Sequence, residues 1–383
     1  MPYPSARYSW RELPKVDVTA EPANISFENI SKSFPLGQGS HVRALQDFSL
    51  VVAPGELLAL AGPSGSGKTT ALRLVAGLDV PNTGKIFIGG KDVADVLPKN
   101  RGVGMVFQNH ALYPHLTARE NLAFGLEIQK LPKAEMIRRI GNAAEVLHLA
   151  ALLDKRPDAL SGGERQRVAL GRAIVSQPKI LLLDEPFSNL DPHLRGELRG
   201  EIRKLQREFN LTILFVTHDQ ADVLALADRI GVIYRGKLEQ TGSPEEIYKK
   251  PQNRFVASFF GEMNFLRGRS VNGKFELAPG ESQFMNIPLP SINRLVERME
   301  LMLGFRPEAI AAPNEALRRD YLVPFRIEVL DIEYGGAAYR TRGKIGSQAI
   351  TVNTQHRPQS NLMDVTLDLR ETLWFDAASG QLL

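Results

Sequence analysis

Three short apolar runs, each bounded by polar residues, punctuate the first part of the chain: Glu56–Gly62 (ELLALAG), Lys179–Pro186 (KILLLDEP) and Leu211–His218 (LTILFVTH). Continuous aliphatic runs of this length fit strands buried on both faces of a parallel sheet. Between the last two lies LRGELRGEIRKLQREF, where Leu194, Leu198, Ile202 and Leu205 recur at helical spacing with charges elsewhere. From Ile25 onward, strands alternating with helices predict an α/β domain whose helices cover a sheet. The segment from Asn109 to about Asp158 departs from that rhythm. Its pattern (KAEMIRRIGNAAEVLHLAALL) is helical and predicts an insertion in the α/β core.

After Tyr248 the texture changes. FRIEVLDIEY alternates at Phe325, Ile327 and Val329, then slips by one to Leu330, Ile332 and Tyr334. A one-residue slip in an alternating strand predicts a β-bulge, and Gly335–Gly336 offers a turn. Short strands with frequent turns predict a small all-β domain, an OB-like barrel. The expected organisation is a tail over 1–24, the α/β domain over 25–245 with its helical subdomain at about 109–158, and the β-domain over 246–383.

A length of 383 residues suits two domains. Apolar residues at 43% and charged residues at 23% are an ordinary globular balance. The formal charge of +4 is small for this length and Lys and Arg are not clustered, so no nucleic-acid partner is expected. Mild basicity also suits a surface beside an anionic leaflet. With no cysteine, disulfides and thiolate zinc sites are excluded, which fits a reducing compartment. The opening MPYPSARYSWRELPKVDVTAEP lacks the apolar core of a signal peptide. No run approaches the ~18 apolar residues of a membrane span, so membrane contact is expected to go through a partner.

Chemistry concentrates at the ends of the apolar runs. GPSGSGKT has the form G-x-x-x-x-G-K-[ST], with Gly62, Gly67, Lys68 and Thr69 at the fixed positions, between a predicted strand and a predicted helix. In that context the glycines let backbone N–H groups turn toward phosphate oxygens, and the helix N-terminus adds its positive end. Lys68 supplies a cation for the β- and γ-phosphates, and the Thr69 hydroxyl an oxygen for Mg²⁺. Asp184 and Glu185 end the second strand, where α/β sheets bind ligands. Asp184 suits Mg²⁺, and Glu185 suits polarising an attacking water. His218 ends the third strand in the same way. His110 and His115 have no cysteine or acid cluster near them, and a metal site there is not expected. LSGGERQRVAL carries a capping box, Ser161 with Glu164, interrupted by Gly162 and Gly163.

In this order the motifs resemble those of the ATP-binding subunit of ABC transporters, over nearly all of Ile25–Gly261. MVFQNHALYPHLTARENLAFGL is similar to the family's Q-loop and the start of its helical subdomain. LSGGERQRVALGRAI is similar to its signature, LLLDEPFSNLDP to the second nucleotide motif and D-loop, and FVTHDQADVLALADRI to its switch-histidine region. The resemblance implies an α/β P-loop ATPase fold and ATP with Mg²⁺ as cofactors. ATP would be held by Phe34 against adenine, by Gly62, Pro63, Ser64, Gly65, Ser66, Gly67, Lys68, Thr69 and Thr70, and by Gln108. Mg²⁺ would be held by Thr69, Gln108 and Asp184. Glu185 would be the base and His218 the contact to the γ-phosphate and water. Ser161, Gly162, Gly163 and Gln166 would reach ATP across a dimer, and Asp191 would join the dimer contact.

Beyond the cassette, GSPEEIYKKPQNRFVASFFGEMNFLRG and LGFRPEAI resemble solute importers with a C-terminal TOBE-type domain. ALYPHLT and PFSNLDP lean toward carbohydrate importers, and GEMNFL toward polyamine importers. The resemblance therefore implies carbohydrate import, with polyamine, ferric ion or phosphonate as alternatives. It implies a second copy or paralogous ATPase subunit, two permease subunits, an external solute-binding protein acting indirectly, and a possible regulator on the C-terminal domain. The expected location is peripheral, on the cytoplasmic face of the inner membrane. Rival classes are a nucleic-acid maintenance ATPase, which would carry long heptads or zinc modules, and a P-loop kinase, which would not need the signature.

Overall fold

The structure, a computed structural model, describes residues 21–35, 40–188, 190–277, 287–289, 298–311 and 321–383. The tail expected over 1–24 lies outside the described residues except for 21–24. The chain divides into two compact units, Met1–Pro244 and Glu245–Leu383.

The first unit does not begin with strand–helix alternation. Strands β1 (Ile25–Pro35) and β2 (His41–Val52) form an antiparallel pair. Its register shifts between Phe27 and Ile30, Ile30 and Lys32, and Lys32 and Ser33. Those irregularities break the period-two pattern that would have announced a hairpin. Next come β3 (Leu57–Ala61), α1 (Lys68–Ala76), β4 (Thr83–Ile88), β5 (Lys91–Asp92) and β6 (Val103–Val106). Helices α2 (Ala118–Ile128), α3 (Lys133–Val146) and α4 (Gly162–Ile174) follow. The unit closes with β7 (Ile180–Asp184), α5 (Pro192–Glu208), β8 (Thr212–Thr217), α6 (Gln220–Leu226), β9 (Arg229–Tyr234) and β10 (Lys237–Gly242).

Two sheets result. One is antiparallel, in the order β2-β1-β4-β5; the other has the order β10-β9-β3-β8-β7-β6. In the second, β9, β3, β8, β7 and β6 are parallel and β10 is antiparallel at the edge. Every residue of β3, β7 and β8 is buried, as a strand covered on both faces requires. One core unites Phe27 and Phe48 of the first sheet, Leu72 and Val75 of α1, and Leu58, Leu182 and Leu214 of the second. Helices α2, α3 and α4 pack together. A Cβ on Gly171 would stand 3.2 Å from Leu149 and 3.5 Å from both Leu122 and Leu147, so α4 lies tightly against this layer.

Among its described residues, the second unit is built of β-strands with two short α-helices, Pro244–Lys249 and Arg254–Phe259, and two 3-10 turns, Pro307–Ala309 and Leu369–Glu371. Its strands form two five-stranded antiparallel sheets that share one core, with Leu266, Phe275 and Phe305 from one and Ile327, Ile350 and Val365 from the other. The register slips between Val329 and Asp331, leaving Leu330 unpaired and 60% exposed. The following turn is closed by Gly335 N–H donating to Ala338 O at 2.9 Å, with Gly336 at φ 83°.

Candidate active site

The parallel sheet sets three strand ends level. Ala61 pairs with Thr217 across β3–β8, and Val216 pairs with Asp184 across β8–β7. Gly62, Glu185 and His218 therefore leave the sheet side by side at its carboxyl edge, the usual ligand edge of such sheets.

After β3 the chain curls tightly. Gly65 and Gly67 have φ of 75° and 109°. A Cβ on Gly62 would sit 2.1 Å from Ile233 O, and one on Gly67 2.3 Å from Ala44 O. At Gly65 nothing lies within 4 Å. Gly65→Ala is therefore expected to lose only the left-handed penalty, roughly 1–2 kcal/mol. Gly67→Ala adds a clash with β2 backbone and should lose more stability and abolish nucleotide binding, read by urea unfolding and by titration with a fluorescent ATP analogue.

Lys68, 6% exposed, donates from Nζ to Gly62 O at 2.8 Å and Pro63 O at 2.9 Å. Burial pushes its pKa down, opposed by the nearby carboxylates of Glu185 and Asp184. Ser66 Oγ is buried in the same loop with no hydrogen-bond partner. An orphaned hydroxyl in a glycine-rich turn, with a cation beside it, fits phosphate oxygens. Ser64 and Gly65 are exposed at the loop tip, and Thr70 is half-buried on α1.

Thr69 Oγ1 donates to Asp184 Oδ1 at 3.0 Å. Asp184 is 8% exposed, and burial raises its pKa against the pull of Thr69 and Lys68. A desolvated carboxylate touching a hydroxyl is a hard-oxygen pair that fits Mg²⁺. Such an ion takes one or two carboxylates and completes its shell with phosphate oxygens and water. No cluster of three or more His, Cys, Asp or Glu able to hold a metal occurs among the described residues.

Glu185 follows in a left-handed conformation, φ 47°, with its N–H on Val216 O at 3.0 Å. A non-glycine residue there is strained, and such strain concentrates at functional positions. The turn lifts the carboxylate between two partners. Gln108 Nε2 donates to Oε2 at 2.8 Å, and His218 Nδ1 lies 2.9 Å from Oε1. Gln108 is thus brought to Glu185, and no hydrogen bond joins it to the Thr69–Asp184 pair.

Phe34 is half-buried at the end of β1, paired with Val42, with Lys32 Nζ 4.8 Å from its ring centroid. The neighbouring β2 backbone at Ala44 is what Gly67 abuts, which puts Phe34 one strand away from the phosphate loop. Ser161 caps α4: its Oγ accepts from Glu164 N–H at 3.2 Å, and its N–H donates to Glu164 Oε2 at 2.7 Å. That contact holds the Glu164 pKa down. Gly163 has no positive φ, and a Cβ there would meet only Leu194, at 3.5 Å. The chain's own packing does not demand that glycine. No hydrogen bond or ion pair among the described residues joins this turn to the phosphate loop. Asp191 is exposed and caps α5, accepting from His193 and Leu194 N–H at 3.1 and 3.0 Å.

Gln166 departs from expectation. It is 2% exposed, with Nε2 buried and unpartnered, so its side chain faces the interior of its own unit and does not reach outward to a nucleotide. Helical spacing explains it. Gln166, Ala169, Leu170 and Ala173, all buried, fall at i, i+3, i+4 and i+7, one stripe of α4. Sequence reasoning also passed over Arg195. Its Nε donates to Leu190 O at 3.0 Å and its Nη1 to Asp219 Oδ2 at 2.6 Å, tying the turn before α5 to the residue after His218. A lone Arg in a charged helix carries no local signal of such a role.

Known proteins resemble this chain in sequence and in fold. The family model described as ABC transporter matches residues 45–188. The chain is 42% identical to the sn-glycerol-3-phosphate import ATP-binding protein of Salmonella typhi, over 94% of this chain and 99% of that one. It is 42% identical to the trehalose/maltose import ATP-binding protein of Thermococcus litoralis, over 89% and 95%. Among solved structures it is similar to a dimeric post-hydrolysis ATP-binding cassette bound to ADP and Pi. That match has 31% identity and a TM-score of 0.53, covering 57% of this chain and 98% of that one. The phosphate loop, the acid pair at the end of β7 and the capped signature helix thus sit in a chain that belongs to the ABC transporter family, as an import ATP-binding subunit that hydrolyses ATP to drive transport.

Proposed function

We propose that the chain powers carbohydrate import by closing as a pair on two ATP molecules, each held between the Lys68 loop of one copy and the Ser161 turn of the other. The observation that carries this is Glu185, held in a strained turn between Gln108 and His218, beside Lys68 and the Thr69–Asp184 pair. In this reading the backbone of Gly62–Thr69 and Lys68 fix the phosphates, with Ser64, Gly65 and Thr70 lining the loop and Phe34 against adenine. Thr69 and Asp184 would hold Mg²⁺, which supplies charge neutralisation at the phosphate oxygens when bound. Glu185 accepts the proton of the attacking water, and Gln108 and His218 keep its carboxylate aimed. Catalysis then comes from positioning and fixed charge.

The Ser161 turn supports the paired arrangement. It is a helix N-terminus whose glycine nothing in its own fold requires, and a close-approaching anion would require it. Gly163→Asp keeps the helix, since an acid in the first turn is favourable, and repels phosphate. Its turnover should fall by roughly 100-fold or more, with unfolding by urea unchanged. Mixing it with a Lys68→Met copy tests the pairing. Random exchange gives mixed dimers with one intact composite site, so turnover should return to at most about a quarter of wild type. No recovery would place both halves of a site in one copy.

The relatives named above for sn-glycerol 3-phosphate and for trehalose/maltose support a carbohydrate-type solute. Among the described residues no helix is long and apolar enough to cross a membrane, and permease subunits would supply the crossing. In this reading the chain sits on the cytoplasmic face of the inner membrane, bound through two permeases and served by an external binding protein. The 245–383 unit would be the seat of any regulator. ATPase activity of the complex assembled with its permeases and binding protein, challenged with trehalose, maltose, sn-glycerol 3-phosphate and spermidine, tests the solute. Stimulation by spermidine alone would overturn the carbohydrate assignment.

A further inference from the structure

Arg172 lies on α4 about three turns beyond Ser161. Its Nη1 donates to Ala111 O at 2.5 Å and its Nη2 to His110 O at 3.1 Å, and its guanidinium carbon stands 5.7 Å from the Tyr113 ring centroid. The side chain is half-buried, burial pushes its pKa down, and no carboxylate among the described residues pairs with it. A guanidinium normally takes carboxylates or phosphates. Here it is committed to two successive carbonyls.

Those carbonyls belong to a strained elbow. His110 and Ala111 are both left-handed, at φ 63° and 49°. Each such non-glycine residue costs roughly 1–2 kcal/mol, so the elbow persists only because its surroundings hold it. It begins two residues after Gln108. Its far side is held by Asn121 of α2, which is fully buried, accepts from Tyr113 N–H at 2.8 Å and donates to Tyr113 O, Leu116 O and Thr117 O. The segment after Gln108 is therefore fastened to α4 at one end and to α2 at the other.

We propose that Arg172 is a positioning residue that makes the Gln108 loop move with α4. A shift of the Ser161 end of α4 then reaches the Glu185 carboxylate through Arg172, the His110–Ala111 elbow and Gln108. A helix transmits such a shift because its backbone bonds keep it rigid along its length. The proposal rests on the roles assigned above to Ser161, Gln108 and Glu185.

The test uses the full chain with Arg172→Met, Arg172→Lys and, in parallel, Gln108→Ala, measuring ATP affinity, kcat and amide hydrogen exchange. For Arg172→Met the expected result is ATP affinity within about twofold of wild type and kcat lower by roughly 10- to 100-fold, the scale of a misplaced reacting group. Exchange should rise over residues 109–113 and stay unchanged in α2, α3 and α4. Arg172→Lys keeps a cation able to reach one carbonyl and should recover part of kcat. An unchanged kcat in Arg172→Met while Gln108→Ala is impaired overturns the proposal and leaves the catalytic assignment standing. An unimpaired Gln108→Ala removes Gln108 from the mechanism and the proposal with it. Faster exchange throughout α2, α3 and α4 would make Arg172 a stabiliser of that layer and likewise overturn the proposal.

Discussion

Glu185→Gln should bind ATP as the unaltered chain does and turn it over roughly 10²- to 10⁴-fold more slowly, the usual contribution of a general base. The geometry explains why binding survives. The carboxylate accepts from Gln108 Nε2 at one oxygen and faces His218 Nδ1 at the other. An amide of the same shape still accepts from Gln108, and its NH₂ can donate to His218 once the neutral imidazole carries its proton on Nε2. The strained turn, fixed by Glu185 N–H on Val216 O, is untouched by the change. What disappears is the carboxylate proposed above to take a proton from water. Single-turnover hydrolysis beside equilibrium ATP titration separates the two effects. Near-normal hydrolysis would remove Glu185 from that role.

Lys68→Met is expected to lose turnover on a similar scale, about 10²- to 10³-fold in kcat/KM, as when one preorganised donor is removed from a developing charge. Here binding should weaken too, because in the proposed mechanism the cation would meet the phosphates in the ground state as well as in the transition state. Lys68 is 6% exposed and wedged against the Gly62 and Pro63 carbonyls, so methionine fills its path without opening a cavity. Arginine should not rescue the loss. Its planar fork is bulkier than an ammonium and cannot address two carbonyls and a phosphate from one point. Recovery of activity in Lys68→Arg would mean that charge alone, not a compact ammonium, is what the loop needs.

These two residues were also the most legible in the chain. A phosphate loop is a contiguous pattern whose meaning follows from the strand before it and the helix after it, and Asp184 and Glu185 end a short aliphatic run that fits a buried strand. Residues defined by distant partners were less visible. Gln108 reads as a polar residue at the end of β6, and nothing local reveals that it meets Glu185. Arg172 and Arg195 look like solvated charges until their carbonyl partners are seen. Gln166 carried its own warning, because it opens the apolar stripe of α4 and a polar side chain on that stripe faces inward. The antiparallel sheet was hidden for another reason. The bulges between Phe27 and Ser33 scramble the alternation that marks a strand. By contrast, the single slip at Leu330 kept clean alternation on both sides and stood out.

The order of strands in the parallel sheet has a consequence for how the chain emerges from the ribosome. Strand β3 is flanked by β8 and β9, both made much later. Some 150 residues must follow Ala61 before Thr217 is available to pair with it, roughly 8–30 s at ordinary synthesis rates. For that interval the wholly apolar LLALA segment has neither neighbour. A nascent chain stalled before β8 would carry every residue of the phosphate loop and none of its function, and would be a natural client for a chaperone.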